Sequence, residues 1–217
     1  MKKHVITRSF IAVLLLTIIR PGMAGDDKYQ DAMRKNILAV YQAESIAQLQ
    51  QTVNALERIG EAEKTKWEPY YYVAFGHIMM ATRENEGTKK DTYLDLAMAA
   101  VGKAKSIAPE ESEIIAIEGF VDMIRVTVDP ASRGAEFSSR AMQSFAKAVE
   151  LNPENPRALA LMAQMQFGTA QFFGSSTAEA CGTAARALGK FETYRSENTL
   201  APEWGREITE KLTAQCN

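Results

Sequence analysis

The feature that most constrains this chain is a phrase that occurs twice, 44 residues apart. Ala97, Val101, Ala104 and Pro109 return as Ala141, Phe145, Ala148 and Pro153, inside the near-copies KAKSIAPEES and KAVELNPENP. Apolar positions three and four apart mark one face of a helix. Alanine at two of them lets a neighbouring helix approach closely, the larger residue between them fills the space, and proline cannot continue the helix. A repeated unit that cannot bury its apolar face alone must stack on its neighbours. The expectation is an all-α array of helical hairpins.

Residues 1–24 read as a secretory signal peptide. Lys2, Lys3 and Arg8 precede an apolar run from Phe10 to Ile19 that only Thr17 interrupts, and Gly22-Met23-Ala24 places cleavage before Gly25. Those ten residues are about half of the ~20 that a spanning helix needs. No cysteine follows the run to take a lipid anchor. The expected product is exported, periplasmic and not inserted in the membrane. It keeps 21 basic against 27 acidic side chains, a balance that argues against general affinity for nucleic acid or anionic lipid.

The remainder reads as helices. The expected spans are Asp27–Gln42; a second capped by Ser45 and ending at Gly60; Trp67 or Pro69 to about Thr82; and Asp91 to the residues before Pro109. Then come Ser112 to about Ile124, Glu136–Leu151, and a helix capped by Asn155 with Pro156 at its first position that breaks at Gly168. Ser176 and Glu179 suggest a capping box for the next, which runs to about Tyr194, and Trp204–Gln215 closes the chain. The spacing from Gly76 to Ala97 and from Gly119 to Ala141 exceeds what a ~34-residue hairpin repeat allows by nine or ten residues. Those residues are expected as long turns inside each hairpin.

With these residues the chain resembles the tetratricopeptide repeat proteins that Gram-negative bacteria export. The shared signals are the terminal prolines, the small residues Gly76, Gly119 and Ala163, and the phrases around Trp67-x-Pro69, Asn155-Pro156, Phe172-Phe173 and Pro202-x-Trp204. A period in the forties also suits HEAT-type repeats, and the prolines favour the tetratricopeptide kind. The resemblance implies a TPR-like solenoid with a C-terminal capping helix. Its parts would be an N-terminal hairpin over 25–66, repeats over 67–109 and 110–153, and a last repeat with its cap over 154–217. It implies a non-enzymatic, protein-binding scaffold whose partner is unspecified. The alternative is a helical component of a TRAP-type solute transporter that binds a small organic ligand in an apolar cavity, or a solute-binding protein.

Catalytic chemistry has little to work with. His77 is the one histidine after the signal peptide, and no HExxH, CxxC, P-loop or GxSxG pattern occurs, so neither a metal nor a cofactor is expected. Counting from the small residues places Val73, His77, Ala116, Phe120, Ala160 and Gln164 on the inner face of the array. None is cationic at neutral pH, so the carboxylate-clamp function known among such repeats is not implied. The candidate groove residues are Tyr70, His77, Met80, Phe120, Arg157, Gln164 and Phe167. Core packing is the competing reading for the aromatic ones. Phe172 and Phe173, expected in a turn, are either a plug folded onto the array or a contact surface. Cys181 and Cys216, the only cysteines, are expected to pair. Export makes the bridge possible, and an antiparallel packing of the last two helices would bring them together. Two buried thiols are the alternative.

Overall fold

The computed structural model describes residues 23–216, and among them the chain forms nine helices and no strand. They are α1 (Met23–Gln42), α2 (Ile46–Ala62), α3 (Glu68–Arg83), α4 (Gly87–Ile107), α5 (Ser112–Val126), α6 (Pro130–Leu151), α7 (Pro156–Phe173), α8 (Ala178–Thr193) and α9 (Arg206–Ala214). The signal-peptide assignment lies almost wholly outside the described residues. No helix among those described is long and apolar enough to cross a membrane.

Several starts follow from local chemistry. Ser45 and Gln48 form a reciprocal capping box at α2, and Asn155 caps α7 ahead of Pro156. At α8 the expected box is absent: Ser176 Oγ accepts from the Ala178 N–H, while Glu179 accepts from Gln166 across the hairpin.

Each helix packs on the next, and the odd-numbered helices also touch one another, α1 on α3, α3 on α5, α5 on α7 and α7 on α9. The even-numbered helices α2, α4, α6 and α8 make no such contacts, so they form the outer row. The middle of the inner row is accordingly mostly core: in α3 only Met79, Thr82 and Arg83 escape burial, and in α5 only Glu118, Met123, Arg125 and Val126. The small residues mark the closest crossings. A Cβ built on Gly76 would lie 2.5 Å from Val53, and one on Gly119 would lie 2.5 Å from the Phe145 ring. Gly119→Leu should therefore cost typically ~1–3 kcal/mol by overpacking, read as a lower denaturation midpoint with unchanged slope.

The extra residues of each hairpin are helix, which corrects the expectation of long turns. α3 and α4 are joined by Glu84–Glu86, and α5 and α6 by Thr127–Asp129. α6 begins at Pro130, where Asp129 accepts from the Ser132 N–H and proline takes a first-turn position that needs no donor. α7 likewise runs through Gly168 to Phe173, since one interior glycine costs only about 1 kcal/mol. The added turns overhang the stack. In α6 only Ala141, Phe145 and Ala148 are buried, and the turns before them are held from the side of α4. Arg133 is bidentate to Asp91 at 2.6 and 2.9 Å, and the Phe137 ring lies under the guanidinium groups of Arg125 and Arg140.

The inner row is not an open groove. Residues 194–205 run back across it from α8 to α9. Tyr72 donates to the Leu200 carbonyl at 2.8 Å, Asn198 to Glu68, Thr199 to Gln30, and the Glu203 N–H to Tyr41. Trp204 stacks on both Phe75 and Phe120, with ring centroids 5.1 and 5.6 Å away, and its indole N–H reaches Tyr71. The expected disulfide is present: Cys181 at the start of α8 is bonded to Cys216 beyond α9.

His77 is 3% exposed, its ring lies along Tyr93, and its Nδ1 has no partner. Burial lowers its pKa from 6.5 to about 4. Between those values the unfolded chain holds the extra proton, so stability is complete above pH 6.5 and is lost as pH falls towards 4. The gap corresponds to about 3 kcal/mol. Denaturant midpoints measured across that window should fall with acid, and His77→Phe should flatten the slope.

Candidate functional site

The structure separates the residues that the sequence suggested. Tyr70, His77, Met80, Phe120, Arg157 and Phe167 are all buried. Phe120 lies under Trp204, Arg157 is clasped by Glu113, and Phe167 packs with Ala163, Ala180, Ala184 and Leu212 beside the disulfide. Phe172 and Phe173 form the last turn of α7, and they stand 65% and 74% exposed with their rings edge to face. Of the expected groove residues only Gln164 meets them, in a cavity of about 540 Å³ between the overhanging ends of α5, α6 and α7.

Three helix faces build this slot. The end of α5 contributes Met123 and Val126, with Thr127 just beyond it, at positions beside the core stripe of Ile117, Val121 and Ile124. α6 contributes Ala131, Gly134, Ala135 and Ser138, three and four apart and hence on one face. α7 faces them with Gln164, Met165, Gly168, Thr169 and the two phenylalanines. Small residues along both long walls leave the helices apart where larger ones would have met. The glycines are informative because the fold does not need them: a Cβ at Gly134 or Gly168 would meet nothing within 4 Å.

The slot carries no charge. None of its lining residues is ionisable. The cations on the neighbouring helices are engaged elsewhere, Arg125 with Asp95, Arg133 with Asp91 and Arg140 with Asp122. Two thioethers, two aromatic rings and a few hydroxyls and amides can hold an apolar body of moderate size. Elsewhere a cavity of about 520 Å³ is polar, lined by Glu111, Glu113, Glu154, Glu197 and Arg195 among others. Burial, with Glu113 and Glu68 nearby, raises the Glu111 carboxyl above its usual range. Among the described residues no three His, Cys, Asp or Glu side chains are grouped to hold a metal ion.

The fold has a solved counterpart. The chain is similar to the HusA haemophore from Porphyromonas gingivalis, with a TM-score of 0.78 and 25% sequence identity over 92% of this chain and 96% of that one. No family model and no curated protein matches the chain.

Met123, Val126, Gly134, Met165 and Gly168 were not singled out from the sequence. One signal for them was nevertheless present. The stretch from Ala158 to Phe173 contains no charged residue, although a helix with one wet face normally carries some.

Proposed function

We propose that this protein is an exported, non-enzymatic carrier that holds a flat, apolar tetrapyrrole of the haem type in the slot between α5, α6 and α7. The observation that carries the reading is the pair of glycines. They weaken two helices, stand where a Cβ would meet nothing within 4 Å, and line the slot from facing helices. The volume suits a small organic cargo. Phe172 and Phe173 offer aromatic faces and edges to a conjugated ring, and Met123 and Met165 offer polarizable contacts that adapt to it. The likeness in fold to a haemophore supports the same class of cargo.

The stacked hairpins are read as a tetratricopeptide-type array, in which the inner row serves as the scaffold's own core. Of the two functions considered from sequence, the small-ligand reading is favoured, because the face on which a protein partner would dock is covered by residues 194–205.

Titration of the purified protein with haemin, followed by absorbance, tests the proposal. Gly134→Leu and Gly168→Leu should each weaken binding at least about tenfold by filling the slot. Neither should lower the melting temperature, since leucine is the better helix former. Undiminished binding in both variants would place the cargo elsewhere.

A further inference from the structure

On the reading of the slot as a tetrapyrrole site, we infer that it selects among tetrapyrroles by where their carboxylates lie. It takes a ring whose acidic groups share one edge, with that edge outward in solvent, and it excludes a ring that carries them on every side.

The argument is electrostatic. A carboxylate pushed between the walls would lose its water and meet no cation, which is costly for any buried charge. α7 has no charged side chain after Arg157, and Arg157 itself is occupied by Glu113. On α5 and α6 the three arginines nearest the slot are drawn towards Asp91, Asp95 and Asp122, at 2.6 Å for Arg125 on Asp95 and for Arg133 on Asp91.

The backbone acts in the same direction. α5 ends at Val126 and α7 at Phe173, so two helix C-termini, the negative ends of their dipoles, open on the slot. The N-terminus of α6 also reaches it through Pro130 and Ala131. Its capacity for an anion is already spent, because Pro130 has no N–H and Asp129 caps the Ser132 N–H at 3.2 Å. The two C-terminal dipoles therefore oppose a carboxylate inside the slot and no unpaired cation offsets them, while Ala131, Ala135 and Phe173 leave an open side through which acidic groups can project.

The test compares three metal-free rings under one salt condition. Protoporphyrin IX has two carboxylates on adjacent pyrroles, coproporphyrin has one on each of the four, and uroporphyrin has two on each. Quenching titrations should show coproporphyrin binding at least about tenfold more weakly than protoporphyrin, and uroporphyrin not measurably. Thr169→Lys, which sets a cation on the wall of the slot, should raise the ratio of coproporphyrin to protoporphyrin affinity several-fold. Coproporphyrin affinity within about threefold of protoporphyrin would overturn the inference and leave the tetrapyrrole reading standing. Failure of protoporphyrin itself to bind would overturn both.

Discussion

Arg157→Met is expected to destabilise the protein by about 3–5 kcal/mol, the usual cost of leaving one member of a buried ion pair alone. The Arg157 and Glu113 side chains are 2% and 5% exposed, and the guanidinium holds the carboxylate at 2.6–3.0 Å through Nε and Nη2. The two residues stand 44 positions apart, at equivalent places in successive repeats, so the pair ties the first turn of α7 to the first turn of α5. Beneath it Asn155 donates to Ser112, and Ser112 donates to the Ala148 carbonyl, extending the polar seam along the same junction. For a chain of this length the loss should appear as a fall in melting temperature on the order of 10 °C. Adding Glu113→Leu to Arg157→Met should return much of that stability, because the uncompensated charge is then gone. A double-mutant cycle in urea measures both effects.

Removing the disulfide should have the second-largest effect. Cys181 and Cys216 are 35 positions apart, for which the loop-entropy model gives about 3–4 kcal/mol. The closed loop contains the whole of residues 194–205, so the bridge restrains the segment that covers the inner row. Cys181→Ser with Cys216→Ser should lower stability by that amount, and a reductant should lower the parent protein equally while leaving the double variant unchanged. Thiol titration of the denatured, unreduced protein should find no free thiol.

The hairpin junctions were legible in the sequence because close packing leaves a local signature. Gly119 against Phe145, the alanines at 97, 104, 141 and 148, and the Asn155-Pro156 start all serve in the structure the roles their chemistry suggests. Helix lengths were less legible. Asp129-Pro130 can close one helix or open another; here Asp129 caps the start of α6, and the Arg133–Asp91 ion pair holds that turn against α4. The covering of the inner row was hidden for a different reason. Residues 194–205 lack helical periodicity, and their partners Tyr72, Glu68, Gln30 and Tyr41 lie more than a hundred positions away. Aromatic residues that could equally have formed a recognition surface, Phe120 above all, are instead covered by Trp204. The slot was only faintly legible, in the uncharged stretch from Ala158 to Phe173, because it arises from side chains that are missing. Small residues on α6 and α7 become a site only once three helix ends are placed side by side.

The most direct test of the account is to map the ligand on the protein. Methionine-methyl NMR spectra recorded during titration with gallium protoporphyrin, a diamagnetic stand-in for haem, report on Met123 and Met165, which line the slot from the edge of the core, and on Met33 and Met80, which are buried and do not line it. The account predicts saturable shifts at Met123 and Met165, with Met33 and Met80 unmoved. Saturable binding that leaves Met123 and Met165 unchanged, or no binding at all, would contradict it.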